Sequence, residues 1–305
     1  LVLTTAALSC MATNDMALIM MLPLSAATLM GANLPRLVAP VFVLQSLAAN
    51  LCGMIVPFGN PQNLYLYSYY GLGLGDFLAA MALPFALSTA GIVACTWWLC
   101  GQSNGSCGRD DTRSLAAPMP LSRRRLAIYG ALVALTLLAV FRIVPVAAAV
   151  AVVAAALAAL DRRALAAVDW GLLATFACFF VFAGNLARVP EVSAWLSPLM
   201  ADHGLLVSAG LSQIISNVPA AVLLSHFTGA WQPLLVGVNI GGAGTLVGSL
   251  ASLITLQHFT SVRKIFPRAT ALPELSTSRF LALFSVLNFG FLAILLIACG
   301  TASSF

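Results

Sequence analysis

The chain is built from long apolar runs separated by short polar segments. Four of these runs carry no charged residue over about the length of a membrane helix, and they cover residues 77–100, 143–160, 170–187 and 280–305. A helix needs about 20 apolar residues to cross a hydrocarbon core of about 30 Å. The composition agrees, since 61% of the residues are hydrophobic and 8% are charged, whereas about a quarter are charged in soluble domains. The pattern therefore predicts an all-α polytopic membrane protein.

The basic residues lie in the polar segments between the apolar runs. Lys and Arg accumulate in the cytoplasmic loops of membrane proteins. We therefore expect the basic loop at 101–125 to be cytoplasmic, together with the segments around Arg162 and Arg268. The net charge is +5, and phospholipid headgroups are the expected partners of such loops. The lipid bilayer, and no nucleic acid, is thus the predicted partner, and a prokaryotic inner (plasma) membrane is the predicted location.

Two apolar regions are interrupted by polar residues, Gly and Pro. Residues 13–15 and 216–219 each split an apolar region, and a re-entrant helical hairpin with its tip at these residues fits the short segments on either side. Residues 57–63 and 241–245 are rich in Gly, Pro or Asn, and Gly and Pro unwind a helix. Such backbone persists in a bilayer where it is buried in protein or lines a wet cavity. Two re-entrant hairpins and two broken transmembrane helices are therefore predicted.

The two interrupted regions also resemble each other. Residues 50–64 align with residues 239–253 without a gap, at an offset of 189 residues. The basic loops orient the first broken helix outward and the second inward, which predicts an inverted-topology repeat. The predicted first repeat is 1–100, with a hairpin tip at 13–15, a broken helix at 37–70 and a return helix at 77–100. The predicted second repeat is 126–305, with helices at 126–160 and 170–187, a hairpin tip at 216–219, a broken helix at 231–259 and a last helix at 280–301.

Four motifs carry a resemblance to a known group of proteins. Thr13-Asn14-Asp15-Met16-Ala17-Leu18-Ile19, followed by Leu22-Pro23, resembles the first hairpin of the ion-transporter superfamily, which includes arsenite permeases, sodium/proton antiporters and citrate and dicarboxylate carriers. Gly59-Asn60-Pro61-Gln62-Asn63 resembles a signature of the divalent anion/sodium symporters, and Ser216-Asn217-Val218-Pro219 resembles the second hairpin tip. Gly248-Ser249-Leu250-Ala251-Ser252-Leu253 is similar to a stretch of arsenite permeases. The motifs stand in the order found in the superfamily and cover most of the chain.

This resemblance implies a secondary transporter that works by alternating access, and it implies a homodimer. Relative to the superfamily, about three scaffold helices are missing before Leu1, so we expect the chain to be incomplete at its N-terminus. The predicted activity is the movement of a small anion, either a carboxylate or an inorganic oxyanion, coupled to Na⁺ or H⁺. The protein is not expected to be an enzyme. No cofactor is expected beyond the coupling ion.

The candidate binding residues lie at the interruptions. A dehydrated anion is stabilised by the free N–H groups and positive dipole at helix N-termini, and by neutral donors such as Asn, Ser and Thr. The predicted substrate-binding residues are Thr13, Asn14, Asn60, Asn63, Ser216, Asn217, Ser249 and Ser252. Unwound backbone and one acid supply oxygen ligands for a coupling ion, and the predicted residues are Asp15, Gly53, Gly59, Gly242, Gly244 and Thr245. No metal other than Na⁺ is predicted.

Two alternative functions follow from other residues. Asp15 is the acid within the predicted hairpin region, and an ionisable group at membrane depth indicates function. A sodium/proton antiporter would depend on Asp15, although this residue also has the position of a helix cap. An intramembrane serine protease is suggested by Gly210-Leu211-Ser212-Gln213 with His258 downstream. That fragment lacks the Gly that follows a nucleophilic serine in the usual motif, and we therefore place it last.

Overall fold

The computed structural model describes residues 1–102, 123–265 and 273–302, and within these ranges the regular elements are all helices. Among the described residues, four helices are long and apolar enough to cross a membrane, or five if one bent pair counts as a single span. These observations confirm the prediction of an all-α polytopic membrane protein. The predicted basic loop at 101–125 lies almost wholly outside the described residues, as do Arg268 and the last three residues.

The described helices agree closely with the boundaries of the apolar runs. Before the basic loop they are α1 (Val2–Met11), α2 (Asn14–Gly31), α3 (Val38–Cys52), α4 (Pro61–Tyr69) and α5 (Leu74–Gln102). After it they are α6 (Arg123–Val140), α7 (Val146–Leu160), α8 (Arg162–Ala166), α9 (Trp170–Leu186), α10 (Pro190–Ile215), α11 (Asn217–Leu224), α12 (Trp231–Ile240), α13 (Leu250–Ile265) and α14 (Thr277–Ala302).

The chain divides into two compact units. One comprises Leu1–Arg109 and Phe179–Phe305, and the other comprises Asp110–Cys178. In the smaller unit, the Tyr129 hydroxyl donates to Asp161 Oδ2 at 2.6 Å, and Asp161 Oδ1 accepts from the Ala164 N–H at 3.1 Å. Asp161 therefore caps the short α8 and ties it to α6.

Helix α3 is the centre of the larger unit. Its residues are almost all buried, including the polar Gln45, Ser46 and Asn50, and it contacts α1, α2, α5, α13 and α14. The Phe42 ring meets Phe259 edge to face at 6.2 Å between ring centroids, and Phe259 stacks on Phe280 at 4.2 Å. These rings join α3 to α13 and α14, so the first broken helix is held by the second.

Both predicted broken helices are interrupted in the structure. Helix α3 continues as a 3₁₀ turn at Gly53–Ile55, and α4 begins at Pro61, a residue whose ring suits a first helical turn. Helices α12 and α13 are separated by residues 241–249, which contain a second 3₁₀ turn at Leu246–Gly248. We refer to residues 53–60 and 241–249 as the first break and the second break.

The helices around the predicted hairpin tips differ in length. Helix α1 has 10 residues and α11 has 8, so at 1.5 Å per residue they span about 15 Å and about 12 Å. Neither crosses the hydrocarbon core alone, whereas the 18 residues of α2 are enough to do so. Helix α10 is kinked at His203, where the backbone leaves helical geometry. The inverted repeat and its two re-entrant hairpins stay predictions.

Candidate functional site

Asn50 connects the two breaks. It lies near the end of α3, is buried, and its Nδ2 donates to Ser249 Oγ at 2.8 Å and to the Gly242 carbonyl at 3.3 Å. Both acceptors belong to the second break, almost 200 residues away in sequence. A buried amide in apolar surroundings needs such partners because an unmade hydrogen bond there costs about 1–3 kcal/mol.

Asn239 makes the corresponding connection from the other side. It lies near the end of α12, and its Oδ1 accepts from Asn60 Nδ2 at 3.3 Å and from Gln62 Nε2 at 3.2 Å. Its Nδ2 donates to Asn63 Oδ1 at 2.6 Å. All of these side chains are buried. We call Asn50, Asn60, Gln62, Asn63, Asn239 and Ser249 the central amide cluster.

The contacts in the central amide cluster are reciprocal. Asn50 and Asn239 are separated by the same 189 residues as Asn60 and Ser249. Asn50 bonds to Ser249, and Asn239 bonds to Asn60. The end of α3 is thus hydrogen-bonded to the residue before α13. In the same way, the end of α12 is hydrogen-bonded to the residue before α4.

The predicted site residues do not include every member of this cluster. Asn50, Asn239 and Gln62 are absent from the predicted site residues, although the two asparagines open the aligned repeat. Their equivalence in that alignment was the signal that identified them as a pair. Asn60, Asn63 and Ser249 were predicted, and the structure brings them together. Ser252 joins them through Ser249, whose Oγ lies 2.9 Å from Ser252 Oγ.

The asparagines at both predicted hairpin tips also lie at the breaks. Asn14 donates its backbone N–H to the Gly59 carbonyl at 3.0 Å, and its Nδ2 donates to Asn50 Oδ1 at 3.2 Å. Asn217 Nδ2 lies 3.0 Å from the position that a Cβ on Gly242 would occupy. Both asparagines are buried. Each predicted hairpin tip therefore lies beside the break that follows it along the chain.

Four helices begin at these positions. The residues that immediately precede α2, α4, α11 and α13 are Thr13, Asn60, Ser216 and Ser249. The first three do not use their side chains as helix caps, whereas Ser249 Oγ accepts from the Ser252 N–H at 3.2 Å. A helix N-terminus carries unpaired N–H groups and a positive dipole end. The site therefore has positive partial charge without a basic side chain in the cluster.

Thr13 and Ser216 are less integrated than the asparagines that follow them. Thr13 is exposed, and the Ser216 hydroxyl is 3.5 Å from the Asn217 side-chain oxygen. The Ser216 backbone has φ 75° and ψ 153°, a region occupied almost entirely by glycine. A non-glycine residue held in this conformation indicates that neighbouring packing imposes the shape of the tip.

The predicted coupling-ion residues divide between the two breaks. Gly53 and Gly59 are buried in the first break, and a Cβ on Gly59 would overlap the Gly53 carbonyl oxygen. Gly242 and Gly244 are buried in the second break, where Gly244 has φ 118°. Thr245 is bound to α10, because its N–H donates to Gln213 Oε1 and its hydroxyl to the Gln213 carbonyl, both at 2.8 Å.

Asp15 lies in the first turn of α2, one residue from the tip asparagine. Its backbone N–H donates to Asn14 Oδ1 at 2.9 Å. The Oδ1 atom of Asp15 is shielded from solvent and has no hydrogen-bond partner among the described residues. The side chain does not cap the helix, so its position is compatible with binding a cation or a proton.

The serine of the protease-like fragment has a local partner. Ser212 is fully buried in α10, and its hydroxyl donates to the Ser208 carbonyl one turn earlier at 2.7 Å. Gln213, the next residue, contacts the second break. This segment therefore packs against the second break.

Comparison with known proteins places this architecture among membrane transporters. An uncharacterized transporter of Methanocaldococcus jannaschii is 32% identical over 258 residues, which are 84% of this chain and 69% of that protein. The model of the citrate transporter family matches residues 1–237, and the chain belongs to that family. This membership confirms the family resemblance drawn from the sequence motifs, three of which lie within the matched residues.

Two further relatives agree with this assignment. The inner membrane protein YbiR of Escherichia coli is 32% identical over 261 residues, which are 84% of this chain and 68% of that protein. An uncharacterized transporter of Mycobacterium tuberculosis is 27% identical over 293 residues, which are 84% of this chain and 67% of that protein. No solved structure matches the chain. The protein is therefore an integral, multi-pass membrane transporter of the citrate transporter family.

Proposed function

We propose that the protein is a secondary active transporter that moves a small anion, a carboxylate or an inorganic oxyanion, by alternating access coupled to Na⁺ or H⁺. The observation that carries this proposal is the reciprocal bonding of Asn50 to Ser249 and of Asn239 to Asn60. It joins two helix breaks at a buried polar centre. Breaks of this kind, in the two halves of an inverted repeat, form substrate and ion sites in secondary transporters.

The chemistry of the site suits an anion. Amide and hydroxyl groups replace the hydration shell without a fixed positive charge, which would bind an anion too tightly for release. Helix N-termini add a positive dipole end worth about 0.3–1 kcal/mol each. The proposed substrate ligands are Thr13, Asn14, Asn60, Asn63, Ser216, Asn217, Ser249 and Ser252.

The reciprocal contacts also support a mechanism. If the two halves are inverted copies, exchanging their conformations converts an outward-open site into an inward-open one. The hairpin tips, which touch the breaks through Asn14 and Asn217, are the elements proposed to move.

The family resemblance adds a homodimer to the proposal. The Escherichia coli relative is an inner membrane protein, which supports the inner membrane as the proposed location.

Anion flux into proteoliposomes tests this function. Citrate, succinate, sulfate and arsenite are supplied in parallel under imposed Na⁺ and H⁺ gradients. Gradient-dependent flux of at least one anion, abolished by Asn217→Ala, is the expected result. Asn288→Ala is the matched control, because Asn288 is a fully buried amide that donates to the Phe284 carbonyl of its own helix at 2.9 Å. Absence of flux for every anion contradicts the proposal, as does equal loss in both variants.

Sodium/proton antiport is the second candidate. It is favoured by Asp15 Oδ1, which has no hydrogen-bond partner within the part of the chain that the structure describes. An antiporter exchanges ions without an organic substrate, so a Na⁺ gradient alone would drive proton movement. Asp15→Asn would then abolish this exchange. Na⁺-driven proton movement in the absence of any anion substrate supports the antiporter, and its absence alongside anion flux excludes it.

A further inference from the structure

The side chain of Gln213 holds the second break from the neighbouring helix α10. Its Nε2 donates to the Gly241 carbonyl at 2.8 Å and to the Ala243 carbonyl at 3.1 Å. Its Oε1 accepts from the Thr245 N–H at 2.8 Å. The Thr245 hydroxyl in turn donates to the Gln213 carbonyl at 2.8 Å. One side chain of α10 thus binds the backbone of the second break at three positions.

These bonds lead to the residue that precedes α13. Thr245 Oγ1 accepts from the Gly248 N–H at 3.0 Å, which closes the 3₁₀ turn of the second break. Ser249 follows this turn directly, and its hydroxyl accepts from Asn50 Nδ2 at 2.8 Å. Gln213 is therefore connected to Ser249, a proposed substrate ligand, through Thr245 and the turn.

The first half of the chain holds the equivalent backbone from a different helix. Met54 and Ala243 are equivalent in the aligned segments, at the offset of 189 residues. The Met54 carbonyl accepts from Asn63 Nδ2 at 3.0 Å, so this amide comes from α4, the second half of the same broken helix. Ser252 stands at the position equivalent to Asn63, and a serine side chain has no amide. The Ala243 carbonyl receives its amide from α10 instead.

The residue equivalent to Gln213 makes a weaker contact. Cys10 and Gln213 each lie four residues before the asparagine of a predicted hairpin tip. Cys10 Sγ donates to the Cys52 carbonyl at 3.4 Å, and a thiol is a weak donor. An amide thus binds the backbone of each break, but it belongs to α4 in the first half and to α10 in the second. The shape of the second break therefore depends on α10 more than the shape of the first break depends on α1.

We propose that Gln213 is a positioning residue for the anion site: it fixes the second break from α10 and thereby sets the position of Ser249 and of the first turn of α13. The inference rests on the proposed anion transport and adds a residue that lies outside the proposed ligands. The N–H groups of a helix N-terminus stabilise an anion when they point at it. Loss of the Gln213 amide therefore weakens anion binding although every proposed ligand is retained.

Anion uptake into proteoliposomes separates positioning from general stability. Citrate, succinate, sulfate and arsenite are supplied one at a time, and each anion that the native protein carries is used for the variants. Gln213→Ala is expected to raise the KM by about tenfold or more, with the maximal rate per folded protein within about twofold, as loss of binding common to the whole cycle does. A residue needed only for folding would lower the maximal rate and leave the KM unchanged. An unchanged KM in Gln213→Ala overturns the proposal.

Two further variants show whether the amide itself is required. Gln213→Met keeps a similar side-chain volume without an amide, and it is expected to raise the KM as Gln213→Ala does. Cys10→Ala is the matched control, because it removes the equivalent side chain while Asn63 still binds the first break. Its KM is expected to stay within about twofold of the native value. A native KM in Gln213→Met, or an equal rise in Cys10→Ala, overturns the proposal.

Hydrogen exchange of the purified protein, without any anion, tests the same positions independently of transport. The amides of residues 245–252 are expected to exchange about tenfold faster in Gln213→Ala than in the native protein, which is the effect of losing about one net hydrogen bond. The same amides are expected to exchange at the native rate in Cys10→Ala. Native exchange of residues 245–252 in Gln213→Ala overturns the inference.

Failure of this inference is distinguishable from failure of the proposed function. Anion flux with an unchanged KM and native exchange in Gln213→Ala overturns the positioning role and leaves anion transport supported. Faster exchange in Gln213→Ala, without flux of any anion in the native protein, contradicts anion transport and leaves the positioning of Ser249 supported.

Discussion

Asn50 and Asn239 occupy equivalent positions near the ends of α3 and α12. Asn50 is hydrogen-bonded to the residue before α13, and Asn239 is hydrogen-bonded to the residue before α4. Asn50 reaches Ser249 at 2.8 Å, and Asn239 is bonded to Asn60 at 3.3 Å. The two breaks therefore depend on each other for the satisfaction of their buried polar groups. A substitution at one break is therefore expected to destabilise the other break, because a buried hydrogen-bond network loses stability when some of its polar groups have no partner.

Removal of the Asn239 side chain is expected to abolish transport. Asn239→Ala leaves Asn60, Gln62 and Asn63 without a shared partner, and each unpaired buried group costs about 1–3 kcal/mol. We expect a lower unfolding temperature and anion flux near background, measured by thermal unfolding and by proteoliposome uptake. Asn288→Ala removes a buried amide from α14 and is expected to keep most of the flux. Comparable flux in the two variants would contradict a role for Asn239 beyond stability.

Gly59 is expected to tolerate no side chain. A Cβ at this position overlaps the Gly53 carbonyl oxygen, and neither backbone segment can move without disturbing the first break. Gly59→Ala is therefore expected to abolish transport and to reduce the yield of folded protein, measured by size-exclusion chromatography and uptake. Gly290→Ala is the matched control, since nothing lies within 4 Å of its added Cβ. Normal flux in Gly59→Ala would show that the first break is not closely packed.

The strained backbone of Ser216 is expected to lower the stability of the protein, while its hydroxyl is expected to contribute to transport. Its φ of 75° and ψ of 153° cost a non-glycine residue about 1–3 kcal/mol. Ser216→Gly is expected to raise the free energy of unfolding by about 1 kcal/mol and to lower flux, because the hydroxyl is lost at the tip. Ser216→Ala retains the strain and is expected to lower flux without the gain in stability. Thermal unfolding that ranks Ser216→Gly below Ser216→Ala would refute this account.

Tyr70 is expected to hold α4 to the end of α11. Its hydroxyl is close to two backbone acceptors, the Thr228 carbonyl at 2.7 Å and the Ser225 carbonyl at 3.2 Å. Tyr70→Phe leaves these carbonyls without that donor and is expected to destabilise the protein by about 1–2 kcal/mol.

Tyr69 provides the comparison for Tyr70. It is 45% exposed, and its hydroxyl is 3.4 Å from His226 Nδ1, so Tyr69→Phe is expected to change stability by less than about 0.5 kcal/mol. Thermal unfolding of both variants in the same detergent measures the difference. Equal effects would mean that the Tyr70 hydroxyl does not secure α11.

Much of the fold follows from local sequence. Apolar runs of 18 residues or more predict membrane helices because the bilayer requires that length, and Gly and Pro predict the two breaks because they unwind helices. Asn14 and Ser249 are recognisable in the sequence as candidate site residues, since polar residues beside an interrupted apolar helix have few structural alternatives. The pairing of Asn50 with Asn239 was detectable only as a repeated position.

The tertiary structure decided which polar groups lie in contact and which of them already have hydrogen-bond partners within the protein. Gln213 belongs, in sequence, to a fragment that suggests a serine nucleophile, yet its amide lies among three carbonyls of α10 and the second break. Asn60 and Ser249 occupy equivalent positions in the aligned segments. Asn60 Oδ1 has no hydrogen-bond partner among residues 1–102, 123–265 and 273–302, whereas Ser249 Oγ accepts from Asn50 Nδ2. Hydrogen bonds between residues almost 200 positions apart depend on distance and orientation in the folded chain, which local composition does not encode.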